Sequence, residues 1–302
     1  MQQIPVIRLF LVTLLLLSSA LISAQKKVLD HTVYDGWKSL TNVNISHDGK
    51  ISTALISPQE GDTTLVIRNN VSNKSLEIER INRYALSPDG AYTVGLLKAP
   101  FADRRQARID KKKGDDVPKD SLVIVNNANF SIQKIANVKS FKAPAEIAKH
   151  IAYTIEFPKD TTKKSKTKQK DLLIVRNLQS GKEDTIRNSQ LSVFNRYGNS
   201  LAATIVPEKK DSTDTHRVIF YDLLADKIQD ISRDSLEYKS LSFDEAGRQL
   251  VYIATGDTST IEQKSFDVRY FRVGADSATI IAGKQVSGLP QGWIFTENAA
   301  PS

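Results

Sequence analysis

The chain has 302 residues, no cysteine, and a formal net charge of +8 from 42 Lys and Arg against 34 Asp and Glu. The missing cysteines exclude disulfides, a lipid-modified N-terminal cysteine and thiol chemistry, so the fold is held by its own core. A basic balance suits nucleic acid or acidic surfaces only when it is gathered into a suitable patch, and its distribution argues otherwise.

Met1 to Arg8 carry one charged side chain, Leu9 to Leu17 are nearly all apolar, and small or polar residues lead on to Ala24. This is the layout of a secretory signal peptide over residues 1–24, cleaved after Ala24. Read as a membrane anchor, Ile4 to Ile22 approaches the ~20 residues that a spanning helix needs. Pro5, Arg8, Thr13, Ser18 and Ser19 interrupt that run. The expected product is exported, periplasmic or extracellular, with no membrane span after cleavage and a charge of +7 once Arg8 is removed.

Self-similarity organises the rest. A polar tight turn stands at Ser46-His47-Asp48-Gly49 and Ser87-Pro88-Asp89-Gly90, and in worn form at Asn195-Arg196-Tyr197-Gly198 and Asp244-Glu245-Ala246-Gly247. Gly49 and Gly90 are 41 residues apart, Gly198 and Gly247 are 49 apart, and the gap of 108 between Gly90 and Gly198 leaves room for a degenerate copy near Lys149. Asp-Gly suits such turns because glycine takes positive φ without steric cost. Each turn is followed by an apolar run: Ile51–Ile56, Ala91–Leu97, Ile151–Phe157, Leu201–Val206 and Leu250–Ala254. A second run rich in β-formers follows in each copy, at Thr64–Ile67, Leu122–Val125, Leu172–Val175, Val218–Tyr221 and Val268–Phe271. Four strands per copy at this spacing predict an all-β fold, a β-propeller of about five four-stranded blades over residues 25–284, in preference to a sandwich or barrel. Residues 285–302 are read as the start of a further repeat or a disordered tail.

Two long insertions, Lys98–Asp120 and Pro158–Lys170, both fall between the second and third strands of their copies and so project from one face. They hold the basic runs from Arg104 to Lys113 and from Lys159 to Lys170. Without interleaved aromatics, and with acidic neighbours, these read as solvated or disordered loops, and no nucleic-acid partner is expected.

The Ser-Pro-Asp-Gly turn followed by Ala91-Tyr92-Thr93-Val94 resembles the blade motif of TolB-type propellers and of the propeller in prolyl oligopeptidase family serine peptidases. Leu29 to Trp37, Pro58 to Ile67 and Lys111 to Leu122 resemble large exported peptidases of that family. The resemblance implies a non-catalytic propeller that gates peptide access to an α/β-hydrolase domain, with peptides or that domain as partners. The family's propeller usually has seven blades, so the chain is expected to be cut short of the hydrolase. The alternative is a stand-alone periplasmic propeller that binds a protein or ligand.

A hydrolase of this kind needs a Gly-x-Ser-x-Gly elbow leading from strand into helix, then an acid and a histidine. The nearest match, Gly198-Asn199-Ser200-Leu201-Ala202, ends in alanine, occupies a tight turn and leads into a strand; His216 is the only histidine after Ser200. No catalytic residue is therefore assigned. His31, His47, His150 and His216 lack metal-ligand spacing. Asp48 and Asp89 have adequate roles in their turns, and there is no glycine-rich phosphate loop. Neither a metal nor a cofactor is expected. Trp37, Trp293 and the tyrosines are expected to pack between blades.

Overall fold

The computed structural model describes residues 31–34, 36–146, 149–157, 171–207, 215–257, 264–283, 290 and 293–297. The expected signal peptide, the insertion at 158–170 and most of 285–302 lie outside them. No helix of the described residues is long and apolar enough to cross a membrane.

Among the described residues, twenty strands form five antiparallel four-stranded sheets, each pairing its strands in chain order. Sheet 1 holds β1 (Lys38–Ile45), β2 (Ile51–Pro58), β3 (Thr64–Asn69) and β4 (Ser75–Glu79). Sheet 2 holds β5 (Ile81–Leu86), β6 (Tyr92–Leu97), β7 (Ser121–Asn126) and β8 (Ser131–Ala136). Sheet 3 holds β9 (Val138–Lys142), β10 (His150–Ile155), β11 (Leu172–Asn177) and β12 (Glu183–Arg187). Sheet 4 holds β13 (Ser189–Phe194), β14 (Ser200–Ile205), β15 (His216–Asp222) and β16 (Lys227–Asp234). Sheet 5 holds β17 (Glu237–Phe243), β18 (Gln249–Thr255), β19 (Asp267–Arg272) and β20 (Thr279–Ala282). These are the blades of a β-propeller, and the two apolar runs of every copy are its second and third strands.

Consecutive sheets pack face to face. Leu65 and Ile67 meet Ile81 and Val123 between sheets 1 and 2, and Val94 and Leu122 meet Phe141 and Tyr153 between sheets 2 and 3. Val175 and Ile186 meet Leu201 and Ala203, and Val218 and Phe220 meet Leu250 and Tyr252, at the next two junctions. Central strands covered on both faces read as unbroken apolar runs, which is why β14 is buried at every position. The four buried tyrosines, Tyr153, Tyr221, Tyr238 and Tyr252, lie in these layers as expected. The two tryptophans and two of the other tyrosines do not: Trp37 is 51%, Trp293 69%, Tyr34 42% and Tyr197 40% exposed, and Trp37 stacks edge-on against Tyr34 instead.

The turn between first and second strands repeats in geometry more faithfully than in sequence. In sheet 1 the Ser46 Oγ accepts the Ile51 N–H at 3.0 Å, and Asp48 Oδ1 accepts the Lys50 N–H at 3.0 Å and the Ser46 hydroxyl at 2.7 Å. Ser87 and Asp89 repeat this set on Tyr92 and Ala91. In sheet 4 a single side chain does both tasks, since Asn195 Oδ1 accepts the N–H groups of Asn199 at 3.1 Å and Ser200 at 3.3 Å. Asp244 does the same for Arg248 and Gln249 in sheet 5. All four turns place their glycine at φ between 67° and 71°. The worn turns are therefore chemically complete.

Sheet-to-sheet connections were not legible in the sequence. Arg80, Asn137 and Asn188 each form a one-residue link at φ 68°, 58° and 59°. Their carbonyls accept the N–H of Lys98, Glu156 and Val206, the residue just after the second strand of the sheet each link opens. The insertion after β6 departs from the expected loop. Residues Phe101–Ile109 form helix α2, following the four-residue α1 (His31–Tyr34). The stretch lacks glycine and β-branched residues until Ile109, and Pro100 sits at its N-cap, where the missing N–H costs nothing.

Adjacent turns touch. The His47 N–H donates to Pro88 O at 2.8 Å, and the Glu146 N–H to Arg196 O at 3.0 Å. The degenerate third turn carries His150 at the start of β10, half-buried, with Nε2 3.1 Å from Asn177 Nδ2. Burial holds its pKa below the ordinary histidine value of 6.5, aided by Lys149 and opposed by the Gly198 backbone and the Asp184 charge.

Two expectations follow for stability. Asn195→Ala strands two N–H groups and should cost about 1–3 kcal/mol in urea titration, whereas Ser46→Ala, which leaves Asp48 in place, should cost less. Because native His150 resists its proton, the unfolded chain binds more protons below about pH 6.5. Stability is fully present above that value and is lost as pH falls through it, and His150→Gln should flatten the midpoint dependence between about pH 7 and 5.5.

Candidate functional site

The propeller has two faces. One carries the tight turns and the turns between third and fourth strands; the other carries the one-residue links and the loops between second and third strands, including α2.

The serine motif lies on the turn face. Ser200 is buried at the start of β14, its hydroxyl facing Asn199 Oδ1 at 3.4 Å and its N–H bonded to Asn195. His216 starts β15 at the opposite end of the same sheet, where the neighbouring Arg217 pairs with Ile205. Six residues of β14 separate the two ends, roughly 17–20 Å at the usual rise per residue. His47 is exposed, and His150 belongs to the turn layer. Among the described residues no three His, Cys, Asp or Glu side chains gather as metal ligands. Asp48 spends its carboxylate on the Lys50 N–H, the Lys50 ammonium and the Ser46 hydroxyl, in that order, which lowers its pKa from 3.8 to about 2.

Two grooves open on the turn face. The one between sheets 2 and 3 encloses about 340 Å³ and is lined by Tyr92, Asn126, Gln133, Arg176 and Gly181. The one between sheets 4 and 5 encloses about 490 Å³, with Tyr197, Asp222, Leu224, Arg248 and Val273 on its walls. Leu224 is 73% exposed, so this second groove offers an apolar rim beside a guanidinium.

Tyrosine and carboxylate ties flank the grooves. Tyr153 donates to Glu183 Oε1 at 2.6 Å; Glu183 also pairs with Arg176, whose Nη2 reaches Gln133 of the preceding sheet at 2.7 Å. The Tyr221 hydroxyl shares its one proton between Asp184 at 2.8 Å and Asp226 at 2.6 Å, and Asp226 pairs with Lys182 at 2.5 Å. Burial, then these carboxylates, raise both phenol pKa values. Burial, opposed by the Ser232 hydroxyl and the Arg269 charge and aided by Asp234, drives Tyr252 up to about 12. Such phenols are permanent donors near neutral pH, fitted to fixing structure and not to acting as bases. Nothing in the turn repeat signalled these ties, because apart from Tyr153 and Tyr252, on second strands, their residues lie on third and fourth strands and the turns between them.

On the opposite face, Asp62 of the loop between β2 and β3 accepts the Phe101 N–H at 3.0 Å and Arg104 Nη2 at 2.8 Å, anchoring α2 across two sheets. Arg105, Arg108 and Lys111 to Lys113 remain exposed, with Glu60 and Asp110 beside them.

No protein-family model matches the chain, and no curated protein matches it. Solved structures do. The β-propeller domain of the Trilobed protease from Pyrococcus furiosus, for which an open velcro topology is described, is similar at 12% identity and TM-score 0.45, over 82% of this chain and 72% of that one. Pyrococcus horikoshii acylaminoacyl peptidase is similar at 10% identity and TM-score 0.45, over 83% of this chain. The chain spans only 41% of that peptidase's length. The putative TolB from Agrobacterium tumefaciens gives 12% identity and TM-score 0.37, over 80% of each chain. The propeller assignment itself rests on the five sheets and their serial packing.

Proposed function

We propose that this chain is a non-catalytic propeller module of an exported, prolyl-oligopeptidase-type serine peptidase, working beside an α/β-hydrolase domain carried on further polypeptide. The observation that carries the reading is the separation of Ser200 and His216 to opposite ends of one sheet, with Ser200 held inside a turn. A nucleophile needs its base within hydrogen-bond reach. Shape is what the module then offers: a turn face with two grooves, and a loop face with an anchored basic helix, either able to border the hydrolase and restrict which peptides enter. The exported compartment agrees with the apolar N-terminal segment and with a chain that uses no cysteine.

Peptide hydrolysis by the purified chain tests this. We expect no turnover above buffer on blocked dipeptide and acylated amino-acid substrates, and no covalent labelling by a fluorophosphonate. Turnover abolished by that reagent would reveal a serine centre and defeat the proposal. For export, expression in a bacterial host should yield a periplasmic protein whose N-terminus is Gln25; an uncleaved cytoplasmic chain refutes that part.

A further inference from the structure

Among the described residues, sheets 2, 3 and 4 are covered on both faces, but sheets 1 and 5 are covered on one. In β2 the residues that alternate with Ile51 and Leu55 are Ser52, Ala54 and Ile56, and all three are only half-buried, as is Val66 in β3. The matching residues in sheets 4 and 5 are Leu201, Ala203 and Ile205, and Leu250, Tyr252 and Ala254, with exposures of 4% or less. The first strand repeats the contrast. Ile81, Tyr84 and Leu86 stand six, three and one residues before the turn serine Ser87 and pack against sheet 1. Their counterparts before Ser46 are Leu40, Val43 and Ile45, exposed by 64%, 63% and 63%.

Sheet 5 shows the converse. The positions of Ala202, Val218 and Phe220, which face the next sheet in sheet 4, are taken by Val251, Val268 and Tyr270, with Ile253 among them; all four are only half-buried. Among the described residues no hydrophobic cluster joins sheet 5 to sheet 1. Repeat proteins that end in water carry polar outer faces on their terminal units, and neither of these faces is polar.

The interior junctions state what covers such faces: the side of one sheet that points along the chain always meets the backward side of the next. Sheet 5 offers the former, with large residues, and sheet 1 the latter, with the small Ser52 and Ala54 between apolar neighbours. We infer that the two faces bury each other between copies of this chain, sheet 5 of one copy packing on sheet 1 of the next. The contact is heterologous, so two copies close only if both pairs of ends meet, and otherwise the array extends. The inference concerns the end faces of the stack, whereas the non-catalytic role proposed above rests on the turn and loop faces.

Sedimentation of the purified wild-type chain and of two lysine variants, Ile45→Lys and Val251→Lys, decides it. Wild type should associate with rising concentration to at least twice the chain mass. A lysine buried without a partner should weaken self-association by about tenfold or more in either variant. Their equimolar mixture should regain a 1:1 dimer, since each keeps one competent face. Any contribution of the N-terminal segment is common to all three proteins and cancels. Should far-UV circular dichroism show a lysine variant unfolded, Val43→Thr and Val251→Thr replace the pair. A wild-type chain that stays monomeric from about 1 to 100 μM, or variants that associate as it does, overturns the inference.

Discussion

A four-stranded sheet that is apolar on both faces cannot stand in water, and everything else in this protein follows from covering both. A single small sheet of this kind buries too little surface for independent stability. Stacking five of them shares the cost, because each junction covers two faces at once. The demand fixes the composition of second and third strands: β7 and β14 show no alternation because neither face may be polar. It also explains why the fourth strands can be polar. Their outer residues, such as Glu77, Lys134 and Glu183, lie at the rim of the stack.

Packing of this sort specifies apolarity more than identity, so the turns carry the geometry. Ser46 with Asp48 and Asn195 alone satisfy the same two backbone N–H groups, one with two side chains and one with a single carboxamide. The Asn195 solution brings its carboxamide against the next turn, where a Cβ on Gly247 would meet it at 2.5 Å. Glycine is thus required at 247 twice over, for its φ of 68° and for space. A repeat can drift in sequence while its hydrogen bonds stay fixed.

That drift sets how much was legible. Strand runs and turn glycines are local features with period and composition on their side, so the ten second and third strands and four of the five turns could be placed from residues alone. The helix over 101–109 was not placed, because a run of Arg and Gln reads equally as a solvated loop until Asp62, from another sheet, anchors its first turn. The tryptophans were misplaced because their size argues for burial, while Trp37 and Trp293 lie beyond the sheets that would have covered them. Of the candidate site, only its negative part was readable: Gly198 to Ala202 could be recognised as a turn. The grooves could not, since each is bounded by residues from two sheets whose separation in sequence carries no signal.

Alike sheets raise a further difficulty, for any apolar face will pack on any other. The polar ties between neighbours answer it. Arg196 reaches Glu146 of the preceding turn and Glu245 of the following one, Tyr84 meets Asn44 and Thr53, and Gln229 donates to the carbonyls of Ala275 and Asp276. Exposed ion pairs contribute at most about 1 kcal/mol each, far less than the apolar layers beneath them. Their value is in discrimination. A sheet shifted along its neighbour, or docked out of order, keeps most of its apolar contact but loses the Tyr221–Asp184, Lys182–Asp226 and Arg176–Gln133 contacts that cross between sheets. Burial drives the stack together, and these few polar groups, placed where no apolar pattern reveals them, decide the order and register in which it closes.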